Sequence, residues 1–427
     1  MTGGERDLLL PRGSRLLHIG PHKTGTTSIQ SAFHTNRTEL AAQGVHYAGT
    51  QRQPMQAAHA VTGRASPYAD GKTPPIGRWL ALVREVRGAG EDRVVISSEG
   101  FADADDAAVR RVISDLGPGQ VHVVVTLRPL VELLPSQWQQ QVQSGMTMPY
   151  EDWLQAVFND PSNRVSRAFW QRHRHDELIR RWATEAGAGN LTAIVAESAD
   201  RDGVLRVLES MVGLRPGTLV PEPDLSNRSL TLAEVETIRA FNAAFRAEGL
   251  GTQLHAKVMR FGAAELMKRR APEPDEPRIQ TPAWAVDRAT EVGREIVEGI
   301  KSSGVRVIGD RATLAPASPR AAARKSAPAV PAKSAPRAAA EEAWPTIGST
   351  AALGIVLASG LARDASSMAG VEEAWPDGPL DRGTPPPRPR VEPLELARVS
   401  TPLLGLVLVR RLLGAAVSRL PLPRRTA

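Results

Sequence analysis

The sequence contains no cysteine in its 427 residues. Disulfide bonds, a thiol nucleophile and a cysteine-ligated metal site are therefore excluded. Long apolar runs are also missing, because no stretch approaches the ~20 residues that a membrane-spanning helix needs. The first ten residues lack the basic, apolar and small-residue layout of a signal peptide. We therefore expect a cytoplasmic protein.

The net positive charge is small outside the C-terminal part of the chain. The formal net charge is +7, but residues 315–427 carry 15 Lys and Arg against 9 Asp and Glu, which leaves +1 for residues 1–314. A nearly neutral body argues against broad nucleic-acid binding by that body. We expect no nucleic-acid partner.

Residues 315–427 also hold 16 of the 34 prolines, interleaved with Ala, Ser, Lys and Arg. This composition buries too little apolar surface to fold. We therefore expect a globular domain over residues 12–310, followed by a disordered tail. Within that tail, residues 403–420 alternate apolar clusters with arginines, a pattern suited to weak contact with an anionic membrane surface. Docking of this segment on the body is the alternative.

The most informative stretch is Arg15–Gln30, in which an apolar run leads into a Gly- and Thr-rich turn and then into the start of a helix. In a strand, loop and helix of this kind, the loop amides and the helix N-terminus converge on one point, where the helix dipole favours an anion. The stretch therefore predicts a phosphate-binding loop. The alternative is a Gly-rich turn that merely joins a strand to a helix.

The loop departs from the Walker pattern G-x-x-x-x-G-K-[ST] at one position. Gly20 and Gly25 match the two glycines and Thr27 matches the hydroxyl, but Thr26 stands where the lysine belongs. The nearby lysine is Lys23, three residues earlier, from where it would approach the anion from inside the turn. This indicates a P-loop relative that does not bind a nucleoside triphosphate.

The segment Pro-His-Lys-Thr-Gly-Thr-Thr-Ser, residues 21–28, resembles the 5′-phosphosulfate loop of the sulfotransferases, P-K-[ST]-G-T-T. The resemblance implies a three-layer P-loop fold of the α/β class, with a central, mainly parallel sheet flanked by helices. It also implies 3′-phosphoadenosine 5′-phosphosulfate (PAPS) as sulfuryl donor, with no metal. The donor-binding residues that it suggests in this loop are His22, Lys23, Thr24, Gly25, Thr26, Thr27 and Ser28, and Lys23 is also a catalytic candidate.

A second match to the family lies about 100 residues further on. The run Gln120–Arg128 is the strongest predicted strand, because near-continuous β-branched residues suit a strand covered on both faces. In the family, an Arg at the end of such a strand and a Ser eight positions later hold the 3′-phosphate of PAPS. Arg128 and Ser136 have this spacing, and a guanidinium fork suits a dianionic phosphate.

Two side chains are candidates for the catalytic base. A buried strand is predicted over Arg93–Gly100, and the carboxyl ends of strands in open α/β sheets face the ligand crevice, so Glu99 would stand at the working edge. The alternative role of Glu99 is a helix-start carboxylate before a predicted helix over Ala102–Leu116. His59 is the second candidate for catalysis or acceptor binding. It lies in residues 50–75, which we expect to be irregular, so a structural or solvated role is its alternative.

A cluster at Arg172–Asp176 has the composition of a metal site. However, His173 and His175 lie two residues apart on a predicted helix, Ala168–Ala186, and such pairs point to different faces. We therefore expect a solvated basic face here and no metal.

The sequence also departs from part of the sulfotransferase family. Ser28 stands where steroid- and phenol-type members carry a Trp for the adenine, and their late Arg-Lys-Gly phosphate loop has no counterpart. The resemblance is therefore to the bacterial and carbohydrate-type side of the family, with the adenine contacts open. The tripeptide Asn227–Ser229, before a predicted helix, is a candidate contact.

The leading hypothesis is transfer of a sulfuryl group from PAPS to a hydroxyl or amine of an acceptor such as a carbohydrate or glycolipid. One alternative is a P-loop small-molecule kinase, which would need Mg²⁺ and a lysine at the Thr26 position. The other is a non-catalytic nucleotide-binding scaffold whose tail recruits partners.

Overall fold

The computed structural model describes residues 8–65, 72–197, 200, 202–220, 228–315, 347–348, 350–352 and 354–355. The chain divides into two compact units. The first unit comprises residues 1–138, 149–224 and 280–329, and the second comprises residues 139–148, 225–279 and 330–427. The residues predicted to bind PAPS, from His22 to Ser136, all lie in the first unit.

A six-stranded sheet forms the centre of the first unit, and every pair of neighbouring strands in it is parallel. The strands are β1 Arg15–His18, β2 Val45–Tyr47, β3 Arg93–Ser97, β4 Val121–Leu127, β5 Leu191–Val195 and β6 Arg306–Ile308. β4 and β5 are buried along nearly their whole length, as expected for strands covered on both faces. The prediction of an α/β fold with a mainly parallel sheet is confirmed.

The strand order β2-β3-β1-β4-β5-β6 creates a crevice beside β1. From β1 the chain moves to the edge strand β2, whereas from β4 it moves the opposite way, to β5. Right-handed crossovers therefore place the helices that follow β1 and β4 on opposite faces of the sheet. A crevice opens at the carboxyl ends of two such strands. The loops that carry Lys23 and Arg128 begin at this point.

Helices cover both faces of the sheet. They are α1 Thr26–Thr35, α2 Arg37–Ala42, α3 Met55–Val61, α4 Gly77–Gly88, α5 Asp106–Leu116, α6 Leu130–Gln143, α7 Tyr150–Asn159, α8 Arg164–His173, α9 His175–Ala186, α10 Gly203–Val212 and α14 Ala283–Ser302. On one face, Phe33 of α1 and Leu208 of α10 pack with Leu16 and Val124 of the sheet. Elsewhere in the core, Phe101 meets Trp79 of α4 and Trp182 of α9 edge to face, at centroid distances of 6.1 and 6.5 Å. The outcome is a three-layer arrangement.

Two segments near the crevice differ from the sequence prediction. Residues 50–75 were expected to be irregular, but α3 lies within them, because its Ala-rich sequence has high helix propensity. The helix predicted over Ala102–Leu116 starts later, as α5, and a 3₁₀ helix over Glu99–Asp103 precedes it. Glu99 is thus the first residue of a helical turn.

The prediction of a solvated face at Arg172–Asp176 is wrong. The expected single helix is two helices, α8 and α9, which meet at Arg174. His173 and His175 are both buried, and their ring centroids are 6.0 Å apart. The break in the helix allows both side chains to turn into the core, which a continuous helix would have prevented.

The second unit contains α11 Leu232–Ala247, α12 Thr252–His255, a π-helix over Ala256–Ala263 and α13 Ala264–Arg269. α11 begins with a capping box in which Thr231 and Glu234 satisfy each other's backbone amides. The buried Glu234 carboxylate also pairs with Arg228 and Arg270. Arg228 is therefore bound inside this unit, which argues against the cofactor contact suggested for Asn227–Ser229. Asn227 itself lies outside the described residues.

A few residues of the predicted tail are described. Ile347, Ala351 and Ile355 are buried at a helical spacing of four residues. Gly354 lies so close to Ala263 that an added Cβ would come within 2.6 Å of its Cα atom. These few residues are packed, and the remainder of the predicted tail beyond Ala315 lies outside the described residues. In the part of the chain that the structure describes, no helix is long and apolar enough to cross a membrane.

Candidate functional site

The loop between β1 and α1 has the geometry of an anion site. Lys23 is exposed and has a φ of 68°, in the left-handed region that non-glycine residues rarely occupy. Gly25 follows with a φ of 93°, and an added Cβ would meet no atom within 4 Å. α1 begins directly after it, with no side-chain cap and no acidic residue in its first turn. The first-turn amides of α1 therefore face an open position suited to an anion.

A buried chain of hydrogen bonds holds this loop on the sheet. The His18 ring lies 2.7 Å from the Ser97 hydroxyl through Nδ1 and 3.3 Å from the Thr126 hydroxyl through Nε2. The Thr24 hydroxyl lies 2.6 Å from that of Thr126 and donates to the Pro21 carbonyl at 2.7 Å. Burial lowers the pKa of His18 to about 4, although Glu99 opposes this shift, so the imidazole is neutral at pH 7.

The Thr24 hydroxyl thus binds Thr126 of the sheet and the Pro21 carbonyl. Only the backbone amide of Thr24 is left to bind a ligand. Thr26, the first residue of α1, is also buried. Thr27 and Ser28 are half-buried in the same first turn. The phosphate binding predicted for these four residues would therefore depend largely on their backbone amides.

Arg128 reaches the Lys23 loop from the end of β4. Its Nη1 donates to the Lys23 carbonyl at 3.3 Å. Its Nη2 donates to the Glu132 carboxylate at 2.6 Å, and both side chains are about one-third exposed, at 31% and 34%. The structure thus brings together the two segments that the sequence analysis selected. Glu132 was not predicted as a site residue. Its carboxylate accepts a hydrogen bond from one nitrogen of the Arg128 guanidinium.

Ser136 lies on α6, half-buried, one residue after Pro135. The neighbouring Gln137 donates to the His22 carbonyl at 3.5 Å, so this part of α6 lies against the loop. A proline inside a helix leaves the carbonyl four residues earlier without its amide partner. α6 therefore lacks one backbone hydrogen bond beside Ser136.

Glu99 lies under the glycine that begins the loop. An added Cβ on Gly20 would stand 3.1 Å from the Cβ atom of Glu99, so only glycine permits this approach. The Glu99 carboxylate accepts from Gln30 at 2.9 Å and from Gln53 at 3.4 Å. Burial raises the pKa of Glu99, but the charge of His22 and the hydrogen bonds outweigh this effect and lower it. Glu99 is therefore ionised at neutral pH.

His59 lies on α3, and not in the loop that the sequence analysis expected. Its ring packs against Gly100, where an added Cβ would stand 3.2 Å from its Cδ2 atom. Its buried Nδ1 has no hydrogen-bond partner among the described residues. Burial lowers the pKa of His59, Arg64 adds to the shift, and Asp103 opposes it. A neutral imidazole thus lies beside Glu99.

Asp103, at the end of the 3₁₀ helix, organises the other side of the site. It is almost fully buried and accepts from Arg172 Nε at 2.5 Å and from Arg64 Nη1 at 2.8 Å. Its Oδ2 lies 3.7 Å from Nε2 of His22, an ion-pair distance that is too long for a hydrogen bond. Burial raises the pKa of Asp103, but the contacts with His22 and Arg172 outweigh this and hold it far below its usual range.

Several residues of the site were not predicted from the sequence. A usable signal existed for Gln30, which lies four residues after Thr26 and so shares its face of α1. Gln53 and Asp103 had no such signal, because each comes close to the loop only through the tertiary fold. Arg64 and Arg172 are 108 positions apart in the sequence and meet at one carboxylate.

Among the described residues, no group of three or more His, Asp or Glu side chains is placed to hold a metal ion. Comparison with protein-family models, with curated proteins and with solved structures found no match to the chain. The assignment of function therefore depends on the geometry of the site.

Proposed function

We propose that the protein is a PAPS-dependent sulfotransferase that transfers a sulfuryl group to a hydroxyl or amine of an acceptor. The observation that carries the proposal is the contact between Arg128 and the Lys23 carbonyl, which joins two segments 105 residues apart. Both segments match a sulfotransferase motif, and both lie at the crevice where β1 and β4 end. The finer description of the fold as P-loop type belongs to the same proposal.

The loop residues fit the 5′-end of PAPS. A phosphate at the start of α1 would accept from the amides of Gly25, Thr26 and Thr27, and the helix dipole favours its charge. Lys23 is exposed and lies two residues before Gly25. Its ammonium group would neutralise the negative charge that develops on the 5′-phosphate during transfer. When bound, PAPS supplies the sulfuryl group, whose bond to the phosphate oxygen breaks as a bond to the acceptor atom forms.

Arg128 and Ser136 fit the 3′-phosphate. The guanidinium already turns one nitrogen toward the loop, and a dianionic phosphate would compete with Glu132 for the other. Ser136 would add a neutral donor from α6. This assignment predicts that ligand binding rearranges the Arg128–Glu132 pair.

Glu99 is the proposed general base, which takes the proton from the acceptor hydroxyl. Its lowered pKa keeps the carboxylate ready to accept a proton at neutral pH, and the amides of Gln30 and Gln53 hold it in place. His59 is the competing candidate, because its buried, neutral ring has an unpartnered Nδ1 in the described structure.

The test compares stabilisation by adenosine 3′,5′-bisphosphate (PAP), the product of the donor, with stabilisation by ATP and Mg²⁺. At a PAP concentration of ~100 times its Kd, linkage adds about 2.7 kcal/mol to the free energy of unfolding. We expect this shift with PAP and little shift with ATP and Mg²⁺ in a thermal unfolding assay. Equal or larger stabilisation by ATP and Mg²⁺ would favour the kinase alternative. PAP binding without PAPS turnover by any of a panel of glycans, glycolipids and phenols would favour the scaffold.

A further inference from the structure

Three arginines converge beside the Lys23 loop. Arg64 follows α3, Arg164 begins α8 and Arg172 lies near the end of α8. Arg64 and Arg172 share the Asp103 carboxylate. Burial lowers the pKa of Arg64, Asp103 opposes the shift, and the charges of Arg172 and Arg164 add to it. Arg164 and Arg172 are thus each close enough to Arg64 to repel its guanidinium group.

One carboxylate does not balance these charges. Among the described residues, Asp103 is the only acidic group within ion-pair distance of Arg64 or Arg172, and Arg164 forms no ion pair there. Arg172 already holds both oxygens of Asp103, at 2.5 and 3.3 Å. A second arginine is therefore not needed to satisfy this carboxylate. Arg172 is 17% exposed and Arg64 is 35% exposed, and a partly buried charge is costly unless it is paired. Arg164 is exposed to solvent.

Arg64 is the member placed to meet a ligand. Its side chain is 35% exposed, and it uses one nitrogen, Nη1, for Asp103. Its Nε and Nη2 groups have no partner among the described residues and form a flat pair of donors suited to an oxyanion. Asp103 links this cluster to His22, the residue before Lys23. A group bound at Arg64 would therefore belong to a molecule that also reaches the transfer site.

We propose that Arg64, with Arg164 and Arg172 around it, binds an anionic group of the acceptor, either a carboxylate or a phosphate or sulfate ester. The inference rests on the proposed function and adds the class of acceptor. A neutral sugar or phenol would leave the arginines uncompensated, whereas an acidic sugar or an anionic glycolipid would neutralise them. The site would thus select acidic acceptors.

The test uses PAP-saturated protein, so that anions cannot occupy the donor site. The probes are matched pairs: methyl β-D-glucuronide with its uncharged amide, and glucose 6-phosphate with glucose. Dissociation constants are measured by ligand-observed NMR titration. We expect at least one anion to bind roughly ten- to a hundredfold more tightly than its neutral partner, the range for a charge-assisted hydrogen bond. The pair that shows the preference identifies a carboxylate or a phosphate as the recognised group.

Arg64→Gln should remove the preference, because it deletes the charge and the fork while Arg172 continues to hold Asp103. Arg288→Gln is the matched control, since it removes an arginine that is half-exposed on α14 and pairs with Glu291. The control should keep the preference. Equal binding of charged and neutral members in both pairs, or a preference that survives in Arg64→Gln, would overturn the inference.

PAP binding separates this inference from the proposed function. Arg64→Gln should bind PAP as the unmodified protein does, because Arg64 lies outside the predicted donor contacts. Absence of PAP binding by the unmodified protein contradicts the sulfotransferase proposal itself. Normal PAP binding without an anion preference contradicts only the acidic acceptor.

Discussion

The two sides of the candidate site pair their charges differently. The loop side, formed by Lys23, Gly25 and Arg128, is open: Lys23 is exposed and the Arg128 side chain is 31% exposed. The arginine side, formed by Arg64, Asp103 and Arg172, is closed around a carboxylate whose side chain is 2% exposed. The first side has an exposed ion pair, Arg128–Glu132. The second has a fixed ion-pair network with a surplus of cations.

The difference in burial indicates which side can exchange an ion-pair partner for a ligand. An exposed pair such as Arg128–Glu132 contributes little to stability, so a phosphate can replace the carboxylate at low cost. The Asp103 cluster is different, because removing one partner of a buried pair leaves an uncompensated charge. The loop side is therefore suited to a ligand that exchanges readily. Under the proposed function, the arginine side would be the preformed surface that positions the acceptor.

The largest expected effect concerns Glu99, which lies between the two sides. Glu99→Gln keeps the shape and the hydrogen bonding to Gln30 but removes the proton acceptor. We expect kcat to fall by roughly 10² to 10⁴, the usual contribution of a general base, with little change in PAP affinity. The measurement is steady-state PAPS turnover with an acceptor found in the panel screen.

His59→Ala is the comparison for this experiment. If Glu99→Gln retained near-normal turnover while His59→Ala lost it, the base would be His59, and Glu99 would have a structural role. A pH profile would add a second readout. The lowered pKa of Glu99 predicts that the acid limb of this profile lies below the ordinary glutamate range.

Arg128→Ala should weaken the loop side selectively. A charge-assisted hydrogen bond contributes roughly 1.5 to 3 kcal/mol, so PAP affinity should fall about ten- to a hundredfold in calorimetric titration. Adenosine 5′-phosphosulfate lacks the 3′-phosphate and should lose little affinity. Similar losses for both ligands would show that Arg128 supports the loop through its bond to the Lys23 carbonyl instead of binding the 3′-phosphate.

The loop side was predictable from the sequence, whereas the arginine side was not. Lys23 and Gly25 lie in one contiguous segment, and Arg128 follows a strongly β-branched strand, so local pattern was sufficient. Arg64, Asp103 and Arg172 come from three segments with no common motif. Asp103 was hidden inside a predicted helix, and Arg172 inside an apparent basic surface.

The histidines show the physical reason for such errors. A two-residue spacing places His173 and His175 on different faces of a continuous helix, but the chain breaks at Arg174 and both side chains become buried. His59 was assigned to a loop because α3 has little amphipathic pattern. Tertiary packing determines the secondary structure and burial of these histidines. The periodicity of a single sequence does not reveal tertiary packing.

Burial of His175, at the start of α9, should make the fold sensitive to acid. Burial lowers the pKa of His175 to about 4 from 6.5, with Asp176 opposing the shift. The unfolded chain therefore binds a proton that the folded protein excludes, and stability falls as the pH drops from about 6.5 to about 4. At pH 5 this site should cost about 2 kcal/mol, and at pH 7.5 almost nothing.

His175→Gln removes this titration. We expect its free energy of unfolding in urea, relative to the unmodified protein, to improve by about 2 kcal/mol between pH 7.5 and pH 5. His46→Gln, at a half-exposed histidine paired with Glu85, is the control and should show a much smaller change. A pH dependence that is the same in His175→Gln and in the unmodified protein would mean that His175 does not contribute to acid sensitivity.

The smallest expected effect is a gain of affinity on the loop side. Glu132→Gln removes the carboxylate that pairs with Arg128 at 2.6 Å and also removes a negative charge near the predicted 3′-phosphate. Exposed pairs contribute up to about 1 kcal/mol, so PAP should bind roughly two- to fivefold more tightly, and the gain should shrink at high salt because exposed charges are screened. Glu291→Gln makes the same charge change in the exposed Arg288 pair on α14 and should leave PAP affinity unchanged. Weaker PAP binding by Glu132→Gln would indicate that the carboxylate orients Arg128 for the phosphate, and the loop side would then be as preformed as the arginine side.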